Sequence, residues 1–182
     1  MGKMKGRIKG KIKKLLRYIF IDDKLKRDIG FLRQISVFAD LNVRSLAKIA
    51  LIVFKKNYVA GELIYKEKQE ANVFYIVKKG KVSVKSAFME NIIEEKNFFG
   101  EKSLTESRRH DSTASAVTDC ELYLIYRVKF DDMVDSDAKV GLKIMKNLCS
   151  IFETRLKCLR HPPLQTVQEG QKRNGDDNRN VK

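Results

Sequence analysis

The sequence predicts an α+β fold that is mainly β: an eight-stranded jelly-roll-like β-barrel with flanking helices and a long C-terminal helix. Short runs rich in Val, Ile, Tyr and Phe recur from Tyr58 to Arg127, divided by Gly, Asn or charged residues, the pattern of many short strands at near-regular spacing. A helical apolar period precedes these runs over residues 41–54, and a longer one follows them to Arg160. With 182 residues, 43% of them hydrophobic, the chain holds one proper core, so these elements form one domain with appendages.

The first appendage is a basic amphipathic helical segment, residues 1–30. In "GRIKGKIKKLLRYIF" the residues Ile8, Ile12, Leu15, Leu16 and Ile19 fall on one helical face, and lysines and Arg17 occupy most of the rest. Met1 to Ile21 holds eight Lys or Arg and no acid, over half of the chain's net charge of +15. Such a helix docks its stripe on its own domain or a partner subunit, or it meets an anionic membrane surface or nucleic acid. Gly2 does not complete a myristoylation pattern, because position 6 is Gly.

Residues 31–160 form the domain proper. Asn42 is placed to N-cap a short helix with Val43, Leu46, Ile49, Ala50 and Val53 on its apolar face. The strands follow as "YVAGELIYKE", "NVFYIVKKG", "KVSVKSAF", "NIIEEKNFF" and "TASAVTDCELYLIYR". A closing helix is predicted from Ser136 or Asp137 to Arg160, its stripe running from Val140 through Ile144, Leu148, Ile151, Phe152 and Leu156 to Leu159. That stripe is long enough to pack on the domain and then to form a homodimer. "HPP" ends it, since proline disfavours a helical residue before it. The polar tail, 161–182, is expected to be disordered.

No apolar run approaches the roughly 20 residues of a membrane helix, and no secretory signal opens the chain. Cys120, Cys149 and Cys158 form neither a C-x-x-C pair nor a zinc spacing, which fits a reducing compartment. They read as core or helix-face thiols. The chain is expected to be cytoplasmic and, through its N-terminus, peripheral to a membrane. His110 and His161 lie far apart, so neither a His-based metal site nor a Cys-His nucleophile is indicated, and no enzyme activity is expected. The basic balance favours polyanionic partners.

Gly-Glu occurs twice. Gly61-Glu62 runs into a strand, and its glycine serves a turn. Gly100-Glu101 opens a short helical turn instead, with Ser103 and Glu106 spaced as a capping box. Backbone N–H groups at such a turn lack internal acceptors and can receive a phosphate.

In order and spacing, "FLRQISVFADLNVRSLAKIA", "VAGELIYKEKQEANVFYIVKKGKVSV", "FFGEKSL" and "STASAVTDCELYLIYRVKFDDMV" resemble the cyclic nucleotide-binding domains of catabolite-activator-type regulators, kinase regulatory subunits and gated channels. The resemblance covers about Phe31 to Arg160 and implies a phosphate-binding cassette at "FFGEKSL". It makes Gly100, Glu101, Lys102, Ser103, Arg109, His110, Ser112 and Thr113 the candidate ligand-binding residues. Glu101 would accept from the ribose 2'-hydroxyl, and Ser103 takes the small-residue position. A cyclic nucleotide, cAMP or cGMP, is the implied ligand and an effector protein the implied partner, with no other cofactor and no metal.

The chain departs from the family at the arginine that pairs with the cyclic phosphate. His110 stands in that slot, Arg109 one residue earlier, and Asp111 beside them would repel an anion. Either a register shift brings Arg109 to the phosphate, or His110 binds in protonated form. Otherwise Arg108 and Arg109 read as a solvated loop and His110 as a surface residue. Lys68 and Lys96 stand where the family often has Gly. The chain therefore resembles a divergent member, with too few residues after Leu164 for a helix-turn-helix. The alternative is a degenerate fold serving as a protein-, lipid- or nucleic-acid-interaction module through its basic N-terminus.

Overall fold

The computed structural model describes residues 23–104 and 109–160, the side chains of 158–160 excepted. The basic stretch 1–21, the tail 161–182, Glu106 and Arg108 lie outside the described residues. Helix α1 (Asp23–Leu32) comes first, then a single 3-10 turn (Ser36–Phe38) and α2 (Val43–Leu51). The boundary drawn after Gly30 falls inside α1, whose Ile29 and Leu32 lie in the core. Asp28 ties this helix to the sheet beneath: its Oδ1 accepts from Lys55 Nζ at 2.7 Å and from the Tyr123 hydroxyl at 2.5 Å. Burial works against the charge on Asp28, but these two donors hold its carboxyl below the ordinary 3.8. Asn42 caps α2 as its position predicts, accepting from Ser45 N–H at 2.9 Å.

Eight strands follow: β1 (Val53–Tyr58), β2 (Leu63–Tyr65), β3 (Val73–Lys79), β4 (Val82–Lys85), β5 (Glu90–Ile93), β6 (Phe98–Phe99), β7 (Thr113–Ala116) and β8 (Cys120–Tyr126). They form two antiparallel four-stranded sheets, ordered β1-β8-β3-β6 and β2-β7-β4-β5. The fold is the predicted eight-stranded roll with flanking helices. Several runs that read as single strands are divided between the sheets. "NIIEEKNFF" supplies β5 to one and β6 to the other, turning at Lys96 (φ 65°). "TASAVTDCELYLIYR" supplies β7 and β8 in the same way. The helix read over residues 41–54 stops at Leu51, and Val53 already pairs with Ile125.

The sheet containing β3 and β8 is buried on both faces. Phe74, Ile76, Tyr123 and Ile125 face the helices, and Val77, Leu122 and Leu124 face the second sheet. These strands consequently read as continuous apolar runs with little alternation.

Two helices close the chain, α3 (Arg127–Ser136) and α4 (Ala138–Arg160). α3 carries no sequence signal of comparable strength, since it buries only Phe130 and Met133. α4 inserts Val140, Ile144 and Leu148 into the core. Its start is held by the Lys48–Asp137 pair at 2.6 Å, its middle by Asn147 Nδ2 donating to the Val37 carbonyl at 3.0 Å. Leu156, further along the predicted stripe, is exposed. Cys120 is buried, its thiol donating to the Thr118 and Lys81 carbonyls, and Cys149 is exposed on α4. No described helix is long and apolar enough to cross a membrane.

Candidate functional site

After β6 the chain turns sharply at Gly100. Gly100 has φ 71°, and a Cβ there would lie 3.0 Å from the Val73 carbonyl oxygen and 3.0 Å from the Tyr75 ring, so both conformation and space demand glycine. Glu101–Leu104 then forms one 3-10 turn, in which Ser103 N–H donates to the Gly100 carbonyl at 3.0 Å. Gly61-Glu62, by contrast, is a plain connection: Gly61 N–H donates to Ala116 O, and Glu62 accepts from Val59 N–H.

The turn borders a cavity of about 650 Å³ between the second sheet and α4, within the range of small-molecule sites. Of the candidate residues it brings together Gly100, Glu101, Lys102, His110 and Ser112. Ser103, Arg109 and Thr113, the other described candidates, do not line it. Ser103 points inward, its hydroxyl fully buried and without a hydrogen-bond partner among the described residues. Arg109 is exposed and pairs as an isolated bridge with Glu70. Thr113 uses its hydroxyl to accept from Glu67 N–H at 3.1 Å.

His110 is buried, not on the surface. Its ring stacks on Tyr65, centroids 3.6 Å apart and planes 6° from parallel, while its backbone bonds Gln69 and Lys68 on both sides. Burial pushes its imidazole below the ordinary 6.5, with Lys102 adding to that and Asp111 opposing it. It is therefore a neutral ring at pH 7. Tyr65, whose hydroxyl lies 3.5 Å from Ser112 Oγ, is pushed up to about 12 by burial, against that hydrogen bond and with the nearby Glu101 and Asp111 carboxylates.

Charge at the cavity is balanced in two pairs. Lys102 Nζ donates to Asp111 Oδ2, and this bond holds Asp111 below the ordinary carboxylate value. Arg155 of α4 reaches Glu101 at 2.7 Å, with its guanidinium 5.2 Å from the centre of the Phe98 ring. Sequence reasoning gave no role to Tyr65, Arg155, Asn91 or Thr154, all of which line the cavity. No local pattern marks Arg155, which lies 54 residues from Glu101. The pairing of Tyr65 with His110 likewise exists only across strands.

Residues 55–137 match the sequence profile of the cyclic nucleotide-binding domain family. Those residues are a cyclic nucleotide-binding domain. Its similarity to a Caenorhabditis briggsae cGMP-dependent protein kinase is 30% identity over 83 residues, 42% of this chain and 11% of that protein. The chain thus matches only about a ninth of that curated relative. Among solved structures, a Geobacter metallireducens GS-15 protein assigned as cyclic nucleotide-binding superposes with TM-score 0.62 at 26% identity, covering 69% of this chain and 95% of that one. The regulatory domain of Toxoplasma gondii PKA with cAMP gives 0.61 at 18% identity, covering 70% and 51%. Thermus thermophilus catabolite activator protein gives 0.59 at 21% identity, covering 69% and 60%; these last two likenesses concern the fold alone. The cyclic nucleotide-binding domain here places Lys68 (φ 67°) and Lys96 (φ 65°) in the left-handed region, which accounts for the glycines expected at those turns.

Proposed function

We propose that the chain is a regulatory module, not a catalyst, that binds cAMP or cGMP in the cavity beside Gly100–Lys102 and passes occupancy to α4. The ribose 2'-hydroxyl donates to Glu101. The phosphate lies against the turn, with Lys102 as its cation, since Arg109 is outside the cavity lining and His110 is neutral. The observation that carries this reading is the Glu101–Arg155 pair at 2.7 Å. The carboxylate suited to a ribose is held by a residue of the last helix, so a ligand that takes Glu101 changes what holds α4. A ligand shifts a conformational balance only through such differential contacts. The exposed stretch of α4 over residues 153–157 then serves an effector protein or a second copy of the chain in the cytoplasm.

Calorimetry with each nucleotide, paired with hydrogen exchange along α4, tests the reading. Binding with altered protection near Arg155 is expected. Absence of both heat and thermal shift at millimolar nucleotide overturns it.

A second reading is favoured by one observation: Asp111 and a neutral His110 occupy the side where the phosphate would sit. On it the fold is a nucleotide-free interaction module whose basic N-terminus binds anionic lipid or nucleic acid. Deleting residues 1–20 then abolishes a salt-sensitive association.

A further inference from the structure

At one corner of the domain, remote in sequence from the cassette, Leu51, Phe54, Tyr126 and Val128 are 74%, 50%, 42% and 69% exposed. Phe54 and Tyr126 meet edge to face with ring centres 5.2 Å apart; Leu51 lies three residues before Phe54, where the helix leads into β1, and Val128 two residues after Tyr126, in the first turn of α3. β1 is the edge strand of its sheet. Scattered exposed apolar residues are ordinary, but four large ones together call for a partner.

The border of this surface defines that partner. Val128, Asp131, Asp132 and Asp135 are all exposed on α3 at spacings of three, four and seven residues, one helical face. Arg127 and Lys129 lie 3.7 and 3.6 Å from Asp131 and Asp132, long contacts within a single helix that leave these carboxylates largely available to another cation. Among the described residues Asp135 makes no ion pair. The nearest lysines of β1 are engaged elsewhere, Lys55 with Asp28 and Lys56 over the Tyr58 ring at 4.2 Å. An apolar patch beside an acidic stripe fits an amphipathic helix with a basic face.

We propose that this surface is covered by residues 1–21 of the same chain. That segment carries eight basic and no acidic residues, with Ile8, Ile12, Leu15, Leu16 and Ile19 on one helical face, the complement in both charge and polarity. It has the reach. It leads into α1, which through Asp28 and Lys55 packs on the face of β1 opposite Phe54, so the segment rounds the edge that β1 forms, and 21 residues of helix span about 30 Å. This assignment does not depend on whether the cavity holds a nucleotide.

Zero-length carbodiimide cross-linking of the full chain, on an equal mixture of isotopically light and heavy protein, tests it. Cross-links from lysines 3–14 to Asp131, Asp132 or Asp135, all light–light or heavy–heavy, are expected, with yield falling several-fold in about 0.5 M salt. Phe54→Ser with Val128→Ser keeps every carboxylate and should lower the yield at least five-fold, with Leu51→Ser as an independent variant if the pair disturbs folding. Absence of these cross-links overturns the proposal, and so do mixed light–heavy products, which assign the surface to a second copy. A yield indifferent to the apolar substitutions overturns it as well.

Discussion

Arg155 on the last helix and Glu101 in the turn after β6 are joined at 2.7 Å, with Arg155 also lying over Phe98. The helix that closes the domain thereby competes for the carboxylate best suited to a ribose. Arg155→Gln frees Glu101, and because the arginine side chain is about half exposed, the pair is worth at most about 1 kcal/mol. Cyclic nucleotide affinity should rise by up to about five-fold, read by calorimetry. A weaker affinity would instead make Arg155 a ligand contact.

Asp111 holds Lys102 at the cavity wall. An incoming phosphate must break that bond and tolerate the carboxylate beside it. Asp111→Asn removes the repulsion and one hold on the ammonium, so cyclic nucleotide should bind up to about five-fold more tightly, a gain of at most about 1 kcal/mol. Lys102→Met should lose a comparable amount. Equal affinities in all three proteins would remove the pair from the binding event.

Lys68 and Lys96 hold φ values of 67° and 65°, where a Cβ is strained. Lys68→Gly and Lys96→Gly should each raise stability by about 0.5–1 kcal/mol, the relief of that strain less the entropy glycine loses on folding. Urea midpoints with unchanged slopes would report it.

The Ser103 hydroxyl is buried with no partner among the described residues. Leaving such a group dry costs about 1–3 kcal/mol, so Ser103→Ala should stabilise the domain by roughly 1 kcal/mol, again by urea denaturation. A loss of stability would mean that the hydroxyl has a partner in solution.

His110 makes stability pH-dependent near neutrality. Its native pKa is lowered from 6.5, mainly by burial. Above 6.5 the ring is neutral in both states and costs nothing. As pH falls through 6.5 the unfolded chain takes up a proton that the native state resists, so stability declines until the lower native value is reached, by at most about 1.4 kcal/mol per pH unit. His110→Gln should flatten that decline. Asp28, Asp111 and Asp137 act in a separate window: their native values are lowered from 3.8, so their contribution is complete above 3.8 and lost as pH drops through the depressed values. Denaturation curves from pH 7 to 3 should show two separated losses.

The sequence by itself determined the roll, the Asn42 cap, the buried Cys120 and the turn at Gly100-Glu101. Each rests on chemistry local to a few residues: strand propensity, a side chain reaching a backbone N–H three residues on, a glycine where only φ > 0 is open. It did not reveal α3, whose two buried residues leave too weak a periodicity, or where the strand runs break between sheets. Register brings Lys102 to Asp111 and the ring of His110 onto Tyr65, and helix packing brings Arg155 to Glu101. Which of Arg109 and His110 faces the cavity is decided by tertiary structure alone, because the two are adjacent in sequence but turn to opposite environments, one to solvent on the Glu70 bridge and one to a buried stack on Tyr65 at the cavity wall. A shift of one residue in an extended chain reverses which side chain points inward, and only the pairing of that segment with its neighbours fixes it.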